Sequence, residues 1–198
     1  MVVRSSYLVG ACLLVGAEIL SRIAQATAAL SRLKPVWYDR SISLSSKIRL
    51  ICSFVTSIFQ YSCESWTLTA ELQIRIQAIE MRCYRKILSI SYKNNVTNEE
   101  LRAKIKQAIG PREDLLTTVK GRKLQWYGHG SRSSGLAKTN LQGTVKGRIR
   151  QGRQRKRWED NIREWTGLEF KSQKAVESRE KWMKLFVTSS VVPQLPRG

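Results

Sequence analysis

The apolar residues of this chain recur every three or four positions, and no long stretch alternates apolar and polar residues. One apolar stripe runs through residues 18–33 and another through residues 70–88. Side chains three and four positions apart share one face of a helix, whereas strict alternation is typical of a strand. The pattern therefore predicts an all-α fold.

A segment between these two stripes is apolar on almost every side. Residues 41–66 read SISLSSKIRLICSFVTSIFQYSCESW, and the serines at the start can cap a helix. A helix without a clear polar face is expected at the centre of a bundle. We therefore expect this segment to be the most buried helix.

The stretch VTNEELRAKIKQAIGP carries the signals for both ends of a helix. Thr97 and Glu100 match a capping box, and Gly110 with Pro111 supplies the stop. Thr97 also completes a glycosylation triplet that begins at Asn95, but the capping box explains the threonine better.

The positive charge is concentrated in one part of the chain. Between Lys120 and Arg163 lie thirteen Lys or Arg residues, but only two acidic ones, Glu159 and Asp160. The whole chain has 35 Lys and Arg against 15 Asp and Glu, a net charge of +20. Such an excess points to a polyanion as partner. We expect RNA or DNA bound with little sequence preference, no small-molecule substrate and no membrane.

This asymmetry predicts a domain organisation. A helical bundle is expected over residues 18–110, followed by a basic helical region over residues 111–192 that binds nucleic acid. Because GHGSRSSG is rich in Gly and Ser, a loop is expected over residues 128–152. Residues 1–17 form a separate apolar segment, and residues 193–198 are expected to fray.

The basic residues are densest in KGRIRQGRQRKRWEDNIREW, residues 146–165. The two glycines within the run would let the backbone approach a phosphate chain, and aromatic residues flank the run on both sides. Phosphate neutralisation combined with aromatic stacking is how sequence-tolerant proteins hold a strand. A solvated charged surface or a nuclear import signal is the alternative interpretation. The predicted phosphate contacts are Lys146, Arg148, Arg150, Arg153, Arg155, Lys156 and Arg157.

The sequence offers no catalytic or metal-binding constellation. His129 is the single histidine, and packing or hydrogen bonding explains it better than catalysis. The four cysteines show no C-x-x-C spacing, so no zinc site is expected. Cys52, Cys63 and Cys83 lie among apolar residues and are expected to be reduced residues of the core. We predict no enzyme activity, no cofactor and no metal.

The first 17 residues have the outline of a secretory signal, with Arg4 ahead of an apolar run from Tyr7 to Ala17. This run is too short to span a membrane, which takes about 20 residues. The basic remainder and the cysteine spacing argue against secretion. We expect a nuclear or cytoplasmic protein. The alternative is a small secreted or membrane-associated protein that enters the secretory pathway.

Three stretches resemble the region that follows the catalytic palm in the endonuclease/reverse transcriptase polyproteins of non-LTR retrotransposons. They read FQYSCESWTLTAELQIRIQAIEMRCYRKIL, RKLQWYGHGSR and GRIRQGRQRKRWEDNIREWTG. The resemblance covers roughly residues 18–192. It implies a thumb-like helical bundle that grips template and primer, followed by a basic region that binds element RNA or target DNA.

The resemblance also implies roles for single residues. The family's aromatic-Gly-His stretch corresponds to Trp126, Tyr127, Gly128 and His129. Its Arg-rich motif corresponds to Arg153, Arg155, Arg157, Trp158 and Asp160. Within the matching stretches, Arg122 and Lys123 are expected to bind nucleic acid and Trp165 to be structural. The family's endonuclease and palm aspartates are not in this sequence, so the resemblance implies no polymerase activity, and a non-functional relic is a further alternative.

Overall fold

A computed structural model describes residues 7–134, 156–167 and 176–188, together with Lys138 and Leu141. Every regular element within these ranges is helical, so the predicted all-α fold is confirmed. The α-helices are α1 (Tyr7–Arg32), α2 (Lys34–Tyr38), α3 (Leu44–Leu50), α4 (Ser57–Gln60), α5 (Ala70–Ile87), α6 (Asn98–Ile109), α7 (Leu115–Arg132), α8 (Trp158–Thr166) and α9 (Arg179–Thr188). A π-helical segment covers Ile51–Thr56, and 3₁₀ turns cover Cys63–Ser65 and Tyr92–Asn94.

The chain forms two compact units. The N-terminal unit comprises Glu18–Tyr61 and Ala70–Leu116. The C-terminal unit comprises Ser62–Thr69 and the chain from Thr117 onward, together with the part of α1 that precedes Glu18. The helical bundle predicted over residues 18–110 includes residues 62–69, whereas these residues belong to the C-terminal unit.

The N-terminal unit is built around α5, which packs against α2, α3 and α6. Four residues of its apolar stripe, Ile76, Ile79, Cys83 and Ile87, are buried. Arg82 on the same helix is exposed. The helical period of the sequence thus gives the correct inner face of α5.

Side-chain hydrogen bonds fix the ends of two helices in this unit. The capping box of α6 is confirmed, because the N–H of Glu100 donates to Thr97 Oγ1 and the N–H of Thr97 donates to Glu100 Oε2, both over 3.2 Å. Gly110 ends α6 with a φ of +86°. The first N–H of α7, on Leu115, donates to the carboxylate of Glu80 on α5 over 3.0 Å. Burial raises the pKa of Glu80.

The expected burial of residues 41–66 is wrong. The helix begins at its serine cap, Ser43, but it widens into the π-helical segment and ends at Gln60. Phe54 and Tyr61 are 53% and 65% exposed, so this stretch has a solvent-facing side. Ser62 then adopts a left-handed φ of +58°, which a helix cannot continue through. The apolar side chains of this stretch therefore extend beyond its buried face.

The predicted loop over residues 128–152 is wrong for its first five residues, because α7 continues unbroken to Arg132. Gly128 and Gly130 are buried. A Cβ on Gly128 would lie 2.4 Å from Nε1 of Trp182, and one on Gly130 would lie 2.5 Å from Cδ1 of Leu141. At both positions glycine allows packed elements to approach closely, and it does not break the helix. Most of residues 135–152 lies outside the described part of the chain.

None of the described helices is long and apolar enough to cross a membrane.

Gly128→Ala should destabilise the protein by about 1–3 kcal/mol, because the added methyl group overlaps the Trp182 ring in a packed core. Gly16→Ala is the matched control, since a Cβ at Gly16 in α1 meets nothing within 4 Å. That change should stabilise the helix by about 0.5–1 kcal/mol. Urea unfolding monitored by circular dichroism measures both, and equal effects at the two glycines would contradict the packing role.

Candidate nucleic-acid interface

The predicted phosphate contacts divide into two groups. Lys146, Arg148, Arg150, Arg153 and Arg155 lie outside the described residues. The others lie in the C-terminal unit, either on α7 or at the beginning of α8. The site can therefore be built from these two helices and from the segment Ser62–Thr69, which packs in the same unit.

The beginning of α8 is fixed by its own acidic residue. The N–H of Arg157 donates to Oδ2 of Asp160 over 2.6 Å, and the N–H of Asp160 donates to the carbonyl of Arg157 over 3.2 Å. Carboxylates in the first turn also interact favourably with the helix dipole. Asp160 therefore has a structural role, and the exposed side chain of Arg157 projects from a fixed helix start. The neighbouring Lys156 forms an ion pair with Glu164.

The aromatic stripe of α8 anchors this helix start to the unit. Ile162 and Trp165 are buried, and Trp158 is half-buried. The indole N–H of Trp158 donates to the carbonyl of Glu64 over 2.8 Å. Because Trp158 directly follows Arg157, this bond limits the movement of the residue that closes the basic run.

Asn161 is a structural residue of the site that the sequence analysis did not identify. Its side chain is completely buried and bonds to both backbone groups of Leu68, accepting from the N–H over 2.7 Å and donating to the carbonyl over 2.8 Å. The signal was present, because Asn161 lies three positions after Trp158 and four before Trp165, on the apolar stripe. An amide in such a position needs partners inside the core.

Lys123 is buried, so the prediction that it contacts phosphate is wrong. None of its surface is exposed. Its Nζ donates to the carbonyl of Trp66 over 2.8 Å and to Oδ1 of Asn161 over 2.9 Å. Nζ also lies 4.5 Å from the ring centroid of Trp158. This lysine holds the segment Ser62–Thr69, α7 and α8 together and cannot reach a ligand.

The charge state of Lys123 follows from its burial. Its pKa is lowered to about 6, chiefly by loss of water and also by the charge of Lys156, while Asp160 acts in the opposite direction. The carbonyl acceptors and the indole face favour an ammonium group. Removal from water is the larger effect, so Lys123 is mostly neutral at neutral pH.

The aromatic residues of the second stretch separate into inner and outer positions. Tyr127 is buried, with its ring centroid 5.5 Å from that of Trp182 and 6.2 Å from that of Trp158. Trp126 is 42% exposed and lies edge-on to Trp158 at 5.5 Å. Arg122 and His129 are also exposed, so the expected packing role of His129 is not seen. The outer face of the site consists of Arg122, Trp126, His129 and Arg157.

Cys52, Cys63 and Cys83 are free thiols. Cys63 and Cys83 are buried as expected, and Cys52 is half-buried. Burial raises the pKa of Cys63 and of Cys83 to about 12 in each case, so both remain protonated. The described residues contain no group of three His, Cys, Asp or Glu side chains that could hold a metal ion.

Lys123→Met should change how stability depends on pH. The unfolded state keeps Lys123 protonated up to about pH 10.4, whereas the folded state releases the proton near pH 6. The unfolded state therefore binds more protons between these values, and the parent gains stability as the pH rises. Relative to the variant, the parent should gain about 2.5 kcal/mol between pH 6.5 and 8.5.

Urea unfolding across this pH range measures the difference between the two proteins. Lys104→Met controls for the loss of one positive charge, since Lys104 is exposed on α6. A constant stability difference between the parent and Lys123→Met would mean that Lys123 keeps its proton in the folded state.

No protein-family model, curated protein or solved structure matches this chain.

Proposed function

We propose that this protein binds RNA or DNA through the phosphate backbone and is not an enzyme. The basic run Lys146–Arg157 provides most of the phosphate contacts, and the C-terminal unit provides a rigid base for the run. Binding is tolerant of sequence, because Lys and Arg contacts to phosphates carry no base information. The protein needs no cofactor for this function.

The observation that carries the proposal is the attachment of the basic run to a packed core. Arg157, its last residue, is exposed and directly precedes Trp158, which is bonded to Glu64. Three residues further on, the side chain of Asn161 is bonded to both the N–H and the carbonyl of Leu68. A solvated charged surface or an import signal needs no such anchor, whereas a phosphate grip benefits from a fixed end.

The carboxylates near this anchor engage one described charge of the run. Glu164 pairs with Lys156, whereas Asp160 accepts from the backbone N–H of Arg157. Further cations are exposed on the described part of the same unit. They are Arg122, Arg132, Lys138, Arg163, Arg179, Lys181 and Lys184.

We further propose that the chain derives from the thumb and the basic C-terminal region of a non-LTR retrotransposon reverse transcriptase. The three stretches that carry the resemblance contribute to one buried cluster. The first stretch supplies Trp66, the second Lys123 and the third Asn161. The proposal rests on the resemblance of these three stretches to the family.

Replacing Arg153, Arg155, Lys156 and Arg157 by Gln should flatten the slope of log affinity against log salt by up to about 3.6 units on duplex DNA. Each lost phosphate contact removes about 0.9 of a unit. Fluorescence anisotropy with labelled DNA and RNA at several salt concentrations measures the slope, and circular dichroism should show nearly unchanged helix content.

A matched control for this variant removes the same charge from the N-terminal unit. It replaces Arg32, Arg49, Lys104 and Lys106, which are all exposed, by Gln. The slope of this control should stay close to that of the parent. If both variants flatten the slope equally, the basic run acts only through net charge. If neither does, the run is an import signal or a charged surface.

The purified protein should not extend a primer on a template in the presence of Mg²⁺ or Mn²⁺. The physical reason is that the chain has no paired aspartates of the kind that hold the catalytic metals of polymerases. A gel-based extension assay with a known reverse transcriptase as positive control tests this. Template-dependent synthesis that survives repurification would overturn the non-catalytic assignment.

A further inference from the structure

Trp126 is a large aromatic side chain on the surface of α7 that packing only partly accounts for. It is 42% exposed, whereas its helical neighbours Leu124 and Tyr127 are buried. Exposing an indole ring leaves much of its apolar area in contact with water. A ring in this position is more useful as a contact surface than as part of the core.

The geometry of the Trp126–Trp158 pair leaves ring surface available. The two ring planes are at 79° with centroids 5.5 Å apart, which is an edge-to-face arrangement. In such a pair only one ring uses a face, and it uses only one. At least one face of Trp126 is therefore not occupied by Trp158, and the pair holds the Trp126 ring in a defined orientation.

The surroundings of Trp126 are positively charged. Arg122 lies one helical turn before it on the same exposed face. Trp158, its edge-to-face partner, directly follows the exposed Arg157. A ligand that brings a flat ring to Trp126 would therefore carry its phosphates near two exposed arginines.

We propose that Trp126 is a stacking platform for a base of a single-stranded nucleic acid, with Arg122 and Arg157 contacting the phosphates beside that base. This inference rests on the proposed nucleic-acid-binding function and specifies the ligand. Bases of a duplex are stacked on one another and do not offer a free face, whereas a single strand does. The ligand is therefore single-stranded RNA or DNA.

Five other aromatic residues of the unit are less suited to this role. Trp66, Tyr127, Trp165 and Trp182 are buried. Trp158 is half-buried, has Nζ of Lys123 over its ring and uses its N–H on Glu64. Among the aromatic side chains of the C-terminal unit whose exposure the structure describes, Trp126 is the exposed one.

The first experiment compares Trp126→Leu and Trp126→Phe with the parent on a labelled 20-nucleotide poly-U or poly-dT strand and on a duplex of equal length. Trp126→Leu keeps an apolar side chain but removes the ring, so single-strand affinity should fall by about 5- to 150-fold. Duplex affinity should stay within about twofold of that of the parent. The slope of log affinity against log salt should stay close to that of the parent. Trp126→Phe should retain much of the single-strand affinity.

Phe54→Leu is the control, because Phe54 is an exposed aromatic residue of the N-terminal unit. This variant should bind both ligands like the parent. If the parent binds neither ligand, the proposed function itself fails. If the parent binds but Trp126→Leu matches it, or loses single-strand and duplex binding equally, the stacking inference is overturned and the nucleic-acid function stands.

A second measurement uses the parent protein and does not depend on any variant folding. A single strand that carries 5-bromouracil is irradiated in the complex, and the protein is digested with trypsin. The crosslinked base should be found on the peptide LQWYGHGSR, residues 124–132, at Trp126. A crosslink confined to other peptides would overturn the inference.

Discussion

The C-terminal unit depends on a pairing between one amide side chain and the backbone of one residue. Asn161 bonds to both the N–H and the carbonyl of Leu68, 93 positions away in the chain. All of these groups are buried, so each unmade bond would cost about 1–3 kcal/mol. The Nζ of Lys123 completes the network by bridging Asn161 to Trp66. Arg157 lies at the start of the helix that carries Asn161, and Trp126 lies on the helix that carries Lys123.

Much of the helical architecture could be predicted because amphipathic periodicity and capping are local properties. The stripe of α5 and the capping box of α6 follow directly from spacing. Two expectations failed because they concern packing between distant residues. Gly128 looks like a loop residue in the sequence, and only the ring of Trp182 explains why glycine is needed inside a helix. Phe54 looks like a core residue in the sequence, but its side chain is exposed. Its exposure depends on which residues pack next to it in the fold.

The candidate site could be predicted from the sequence only in part, for a similar reason. The helical spacing of Trp158, Ile162 and Trp165 indicates a helix with one apolar face, but charge alone does not separate Arg122 from Lys123. Adjacent residues on a helix point about 100° apart, so one can be exposed while the next is buried. Lys123 lies four positions from both Val119 and Tyr127, which are core residues, and this spacing could have placed it inside. A buried lysine is rare enough that composition favours the surface assignment.

The segment Ser62–Thr69 belongs to one unit, while the chain on both sides of it belongs to the other. The C-terminal unit is therefore discontinuous, and no single stretch of gene encodes it. Recombination that kept residues 117–198 but replaced the first half of the chain would leave Asn161 and Lys123 without their backbone partners in the core. The coding regions for residues 62–69 and 117–198 must therefore stay in one gene for these contacts to persist.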